Sequence, residues 1–323
     1  MNARRWLVPA LVAALVVAAA LSLLAGKVWI APAALLAGDP RWPIIAELRL
    51  PRMVLAMMIG AGLGMAGAAM QGYLRNPLAD PGLFGVSATA ALGAVISIFF
   101  GLAATPFVLS GFALAGAALA VLMLSMIAGQ SGSVIVFTLA GVVISSLAGA
   151  LTALVINLAP TPFATGQIVN WLMGALTDRS WDEVLIAAPL IALGMGVIAG
   201  AARALDALTL GEAAARSLGV RPKVLQAQIV LGVGLVVGAS VAAAGIIGFV
   251  GLIVPHLVRP LTNRRPSAVL LPAALAGALL LLVADSAVRA APTVSELRLG
   301  IAMSLLGAPF FLALLLKMRR QIA

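Results

Sequence analysis

GIIGFVGLIVPHLVR (residues 245–259) is the stretch on which the fold turns. Its apolar part, 246–259, is about 14 residues long, against the ~20 that a helix needs to cross a bilayer. Glycines at 245, 248 and 251 recur every third position, and a Pro-His-x-x-Arg end carries His256 and Arg259. If the stretch crosses, the chain has ten spans. If it re-enters, or lies as a short buried helix, the chain has nine.

The nine other runs are long enough to cross. They lie near 6–25, 52–73, 83–101, 107–128, 134–158, 184–203, 224–244, 268–289 and 297–317. The composition agrees with a lipid solvent. Of 323 residues, 63% are hydrophobic and 9% are charged, and the mean hydropathy is +1.18. A soluble domain carries charge at about a quarter of its positions, so this chain lacks the polar surface to cover itself in water. We expect one all-α polytopic membrane domain over residues 1–323. The first run, Trp6–Ala25 behind Arg4 and Arg5, resembles a signal peptide. It is long enough to span and is followed by only a weak cleavage signal, so it is read as an uncleaved first span.

Charge favours an even count of spans, and so ten. With the N-terminus inside and ten spans, the inner face receives 13 Lys and Arg against three acids, and the outer face seven against seven. The positive-inside rule favours that arrangement, with both termini cytoplasmic. The basic residues sit at span ends, so the net charge of +10 is a topology signal and not a nucleic-acid surface. Cysteine is absent and His256 is the only histidine, which excludes disulfides, cysteine chemistry and a multi-histidine metal site. No P-loop string occurs, so the chain does not hold ATP by that motif.

Three features between the spans carry more information. Leu74–Ser87 (LRNPLADPGLFGVS) interrupts the hydrocarbon with Asn76-Pro77 and Asp80-Pro81, which stop a helix and stiffen the connection. A tight hairpin accounts for it, and a rigid element closing a pore accounts for it as well. Gly211–Val220, within the longest inner loop (about 204–223), reads as a short surface helix closed by Gly219. It is either a connector or a docking knob for a cytoplasmic partner. At the outer face, Arg49 and Arg52 flank Leu50-Pro51, and Arg289 ends the ninth span. Such arginines either snorkel to the interface or pair with acids on an external partner. Gly60, Gly64 and Gly67 permit close helix contact. His256 is read as a hydrogen-bonded structural group rather than a ligand or proton carrier.

Taken in order, several strings resemble the permease subunits of iron-chelate, haem and cobalamin ABC importers, the FecCD or type II importer family. They are Glu47–Arg52 (ELRLPR) with Gln71, Asn76–Gly82 (NPLADPG), and Gly211-Glu212 with Ala215-Arg216 and Leu218-Gly219. Gly248–His256 (GFVGLIVPH) with Arg259, Glu296–Gly300, and Gly307–Phe310 (GAPF) complete the series. The resemblance implies a type II importer permease fold with ten helices in the bacterial inner membrane. It also implies a homodimer served by two cytoplasmic ATPase subunits and one periplasmic binding protein. ATP and Mg would be bound by the ATPase, and this chain would carry no cofactor and do no catalysis of its own. Asn76, Pro77 and Leu78 would form a cytoplasmic gate, with Ser131 and Ser133 as a second. Gly211, Glu212, Ala215, Arg216, Leu218 and Gly219 would couple to the ATPase, and Arg49, Arg52 and Arg289 would dock the binding protein. Whole-chain resemblance puts haem ahead of ferric siderophores and cobalamin as cargo.

Readings from other classes are weaker on the residues. An ion-coupled carrier needs intramembrane charge, and only Asp285 comes close. An intramembrane enzyme needs a nucleophile with partners. Ser145 and Ser146 lie in a span, with no histidine or acid nearby in sequence.

Overall fold

The computed structural model describes residues 3–27, 29–30, 41–128, 134–293 and 295–322. Helices account for nearly all of the described chain. Eight helical segments are long and apolar enough to cross a membrane. They are α1 (Ala3–Leu24), α2 (Leu50–Tyr73), α4 (Pro106–Ala128), α5 (Val134–Asn157), α7 (Trp181–Gly200), α10 (Pro222–Ala244), α12 (Pro266–Ala290) and α13 (Leu299–Ile322). Two shorter apolar helices, α3 (Val86–Phe99) and α11 (Val250–Val258), bring the apolar helices to ten among the described residues. The polar connections hold α6 (Pro162–Leu172), α8 (Ala202–Leu208) and α9 (Glu212–Ser217).

Proline sets many of the starts. Pro51, Pro162, Pro222 and Pro266 open α2, α6, α10 and α12, where a missing N–H costs nothing and φ is already helical. A capping box starts α7. Ser180 Oγ accepts from Asp182 N–H (3.2 Å), and Glu183 Oε2 accepts from Ser180 N–H (2.8 Å). Ahead of α2, the chain enters through a π-helical turn, Ile44–Arg49.

Buried α2 and α10 form the middle of the bundle, whereas α1, α4, α5 and α13 turn most of their apolar surface outward. In lipid, an apolar side chain gains little by leaving one hydrocarbon for another, so close backbone packing has to hold helices together. The glycines of α2 serve this end. A Cβ on Gly60 would strike the Gly277 carbonyl of α12, one on Gly64 the Ala273 carbonyl, and one on Gly67 the backbone of Gly251 in α11. The order of these contacts makes α2 and α12 antiparallel.

The deciding stretch resolves into two parts. Gly245–Phe249 is not helical, and α11 follows, extended by a 3-10 turn at Arg259–Leu261. Gly251 lies level with Gly67 and Leu63, well along α2, and Arg259 reaches Gln71 near its end. The helix therefore fills only the part of the crossing nearer the end of α2. Irregular backbone at that depth needs partners within the protein, and it has them. Ala175 N–H donates to Ala244 O (2.8 Å), Gly245 N–H donates to Val241 O (2.8 Å), and the Ile246 carbonyl packs against Gly174 and Gly300. The alternatives of full span and half-helix meet in one element, a broken crossing. Among the described residues, the contact found for His256 is an edge-to-face packing on Phe310, with ring centroids 5.8 Å apart.

Candidate functional site

At the end of the bundle that carries α8 and α9, the polar connection is built around a six-residue helix. Gly211 precedes α9 with φ of 97° and Gly219 follows it with φ of 86°. Gly219 N–H donates to Arg216 O (3.0 Å) and Val220 N–H to Ala215 O (3.0 Å), which closes the helix as a Schellman motif. Ala215 is the buried anchor. Arg216 and Leu218 point outward, Leu218 at 65% exposure, and Glu212 pairs loosely with Arg216 (3.5 Å). A groove of about 370 Å3 runs alongside, lined by Arg203, Leu218, Arg221 and Val224. The connection is not free to swing. Asp206 of α8 accepts from Ser267 N–H (2.9 Å) and Oγ–H (2.6 Å), which fastens it to the start of α12.

The Leu74–Ser87 connection lies at the same end. Asn76 N–H donates to Gln71 O (3.2 Å) and Arg75 N–H to Gly72 O (3.4 Å), a second Schellman closure, with Arg75 in the left-handed region at φ of 51°. Two side-chain turns follow. Asn76 Oδ1 accepts from Leu78 N–H (2.9 Å) and Asp80 Oδ1 from Gly82 N–H (2.7 Å). Pro81 rests on Gly251 of α11, and Phe84 stacks on Phe137 of α5 at 4.7 Å. Gln71 joins α2 to α11. It donates to the carbonyls of Gly251 and Leu252 (3.4 Å each) and accepts from Arg259 Nη2 (2.7 Å). The segment is thus pinned at both ends by contacts with α2, α5 and α11. Ser131 and Ser133 lie outside the described residues.

At the opposite end, Arg49, Arg52 and Arg289 converge, but they are buried at 8%, 7% and 8% exposure. Arg52 Nε and Nη2 reach both carboxylate oxygens of Asp285, and Nη2 also contacts Glu296 Oε1. Arg49 Nη1 donates to Leu23 O and Leu24 O (2.8 Å each), and Arg289 Nη2 donates to Ser22 O (2.6 Å) and Ser22 Oγ (2.9 Å). These carbonyls are among the last four of α1, the ones a helix leaves without internal partners. Two of the three arginines therefore cap α1, and the third holds α12 and the connection before α13. Neither snorkelling nor open presentation describes them. A cavity of about 500 Å3 is lined by Gln167, Asn170, Trp171, Arg179 and Arg298.

Among the described residues no group of three or more metal-binding side chains occurs. The Ser145 hydroxyl is buried without a hydrogen-bond partner there, so no base activates it.

Residues 14–317 match the model of the FecCD transport family. The chain belongs to that family. Relatives agree over most of its length. The uncharacterized ABC transporter permease protein YvrB of Bacillus subtilis (strain 168) is 40% identical over 295 residues, 87% of this chain and 81% of YvrB. The vitamin B12 import system permease protein BtuC of Salmonella typhi is 38% identical over 320 residues, 98% of this chain and 96% of BtuC. Among solved structures, an inward-facing conformation of a transporter described as metal-chelate ABC type superposes with a TM-score of 0.88 at 30% identity. It covers 96% of this chain and 98% of that one. PsaBC from Streptococcus pneumoniae, at a TM-score of 0.57 and 18% identity, shares the fold over 82% of this chain and 89% of its own.

As a FecCD family member the chain is the membrane-spanning permease subunit of an ABC importer in the bacterial cytoplasmic membrane, and it is not itself an enzyme. The cargo in the relatives' names is vitamin B12 where one is stated, which does not single out the haem expected from the sequence. Sequence reasoning missed three parts of this permease. The helix α6 had a signal in Thr161-Pro162, since Thr161 Oγ1 caps Ala164 N–H (3.1 Å) ahead of a first-turn proline. The two carboxylates on Arg52 had a weaker one. An acid at position 285, inside an apolar run, must find a cation. Nothing in the sequence marked Arg49 and Arg289 as caps of α1.

Proposed function

We propose that this chain imports a chelated metal of the corrinoid class, passing it from a periplasmic binding protein to the cytoplasm when a partner ATPase hydrolyses ATP. The observation that carries the cargo class is the 38% identity to vitamin B12 import permeases across 98% of the chain. Haem, a tetrapyrrole of comparable shape, is the second reading. One histidine and one tyrosine give the chain few axial ligands for its iron, so a haem cargo would pass without coordination.

In this reading two copies of the chain enclose one path, with both termini cytoplasmic. The α9 segment is the contact with the ATPase. Its exposed Leu218 and Arg216 beside a 370 Å3 groove support that role, as does the fastening of α8 to α12. Closure of the ATPase pair on ATP would push α9, and Asp206–Ser267 would pass the push to α12. Asn76–Leu78 forms the cytoplasmic gate. The stiffness of a loop with two prolines and two side-chain turns supports it, because a soft loop would close no pore. Ser131 and Ser133 form the second gate. Arg49, Arg52 and Arg289 receive carboxylates of the binding protein. Their convergence supports this assignment, and their burial sets a condition on it.

The test is uptake into proteoliposomes holding this chain, its ATPase and its binding protein. Cobalamin, haem and a ferric siderophore are supplied separately, with and without ATP. ATP-dependent uptake of cobalamin is expected. Uptake of haem instead would keep the machine and replace the cargo, and uptake driven by an ion gradient without ATP would overturn the reading.

A further inference from the structure

We propose that Glu296 is a placeholder carboxylate, which occupies on Arg52 the position that a carboxylate of the periplasmic binding protein takes when it docks. The inference rests on the docking reading above and supplies the step that reading lacks, since an arginine at 7% exposure cannot meet a partner unless something leaves.

The two acids on Arg52 are not equivalent. Asp285 lies within helix α12, its side chain is 1% exposed, and it engages Nε and Nη2 together. Glu296 lies in the connection before α13, its side chain is 17% exposed, and it meets Nη2 alone. A bidentate buried pair is the stronger and a single contact at the rim the weaker, so Glu296 is the partner that can be exchanged. The cluster can also accept a carboxylate. Arg289 feels the charges of Asp285, Arg52, Arg49 and Glu296, and its buried Nε–H has no hydrogen-bond partner among the described residues.

Exchange at this point has a mechanical outlet. Three residues after Glu296, α13 begins at Leu299. Gly300 N–H donates to Gly174 O (3.0 Å), and a Cβ on Gly300 would strike the carbonyls of Met173 and Ile246. Gly300 thus touches both the end of α6 and the irregular part of the broken crossing. Release of Glu296 frees the connection that positions this junction, so docking is transmitted to the outer ends of α6, α11 and α13. An incoming carboxylate keeps Arg52 neutralised throughout, so no buried charge is left bare.

The experiment uses the complete transporter in nanodiscs and its binding protein, with affinity and thermal stability both read for the unmodified chain, Glu296→Gln and Glu296→Asp. Gln should lower the melting temperature yet tighten docking by about five-fold or more, a typical coupling between linked sites. Asp, which keeps the charge on a shorter arm, should fall between. A purely structural Glu296 would weaken stability and docking together, and that result overturns the proposal, as does unchanged affinity. Loss of the assembly in both variants overturns it too, because an exchangeable group cannot be required for the fold. If the unmodified transporter fails to bind the binding protein at all, the docking reading itself falls.

Discussion

Arg52 and Asp285, 233 positions apart in sequence, meet through Nε–Oδ2 at 2.9 Å and Nη2–Oδ1 at 2.8 Å. The pair joins the start of α2 to the last turns of α12 at the end where the connection to α13 leaves. Further along the same two antiparallel helices, Gly60 and Gly277 bring the backbones into contact. One interface therefore carries a polar lock at its rim and a small-residue seam in its middle.

Removing one half of the lock should be costly. Asp285→Ala leaves Arg52 buried with Glu296 as its remaining acid, and loss of one partner of a buried pair costs about 3–5 kcal/mol. Arg216→Ala, whose ion pair with Glu212 is exposed, should change stability by less than about 0.5 kcal/mol. Thermal unfolding of the detergent-solubilised chain separates the two. Equal shifts would mean that the lock carries no special weight.

The seam makes a different demand. Gly60→Ala places a methyl against the Gly277 carbonyl, and neither helix can yield locally, so a loss of about 1–3 kcal/mol is expected. Gly196→Ala in α7 meets no atom within 4 Å and should be neutral. The same unfolding measurement checks both, and a neutral Gly60→Ala would refute close backbone contact between α2 and α12.

Legibility in the sequence divides along a physical line. Long hydrocarbon runs and Gly219 at a helix end are local signals, and they located the spans and the α9 helix. The broken crossing at 245–259 was visible as a stretch too short to span, but its resolution depends on distant backbone at Gly174 and Gly300 that no local pattern announces. The arginines illustrate the harder case. Position at an interface identified Arg49, Arg52 and Arg289 as a group, whereas their burial follows from Ser22, Asp285 and Glu296, which are brought close only by the folded bundle. Charge counting placed acids and bases on the same face without pairing them.

The stiffness of the Leu74–Ser87 connection is testable by loosening it. Asn76→Ala removes the Oδ1 acceptor of Leu78 N–H while leaving both prolines, and Pro77→Gly releases the backbone as well. If this segment closes the path, ATP-independent efflux of preloaded cargo from proteoliposomes should rise in the order unmodified, Asn76→Ala, Pro77→Gly. Unchanged efflux in both variants would remove the gate from this segment.

Leu218 offers the sharpest test of coupling, because its side chain is 65% exposed and holds no part of the core. Leu218→Asp should therefore leave the melting temperature of the isolated chain within about 0.5 kcal/mol equivalent of the original. If α9 meets the ATPase, the same change in the assembled transporter places a charge in that contact, and stimulation of ATP hydrolysis by the loaded binding protein should fall by roughly ten-fold or more, the size expected for losing about 1.4 kcal/mol. Glu212→Ala should have a smaller effect, since its pairing with Arg216 is exposed and loose. Stimulation that survives Leu218→Asp intact would move the ATPase contact away from α9, with Arg203 and Arg221 across the neighbouring groove the next residues to replace.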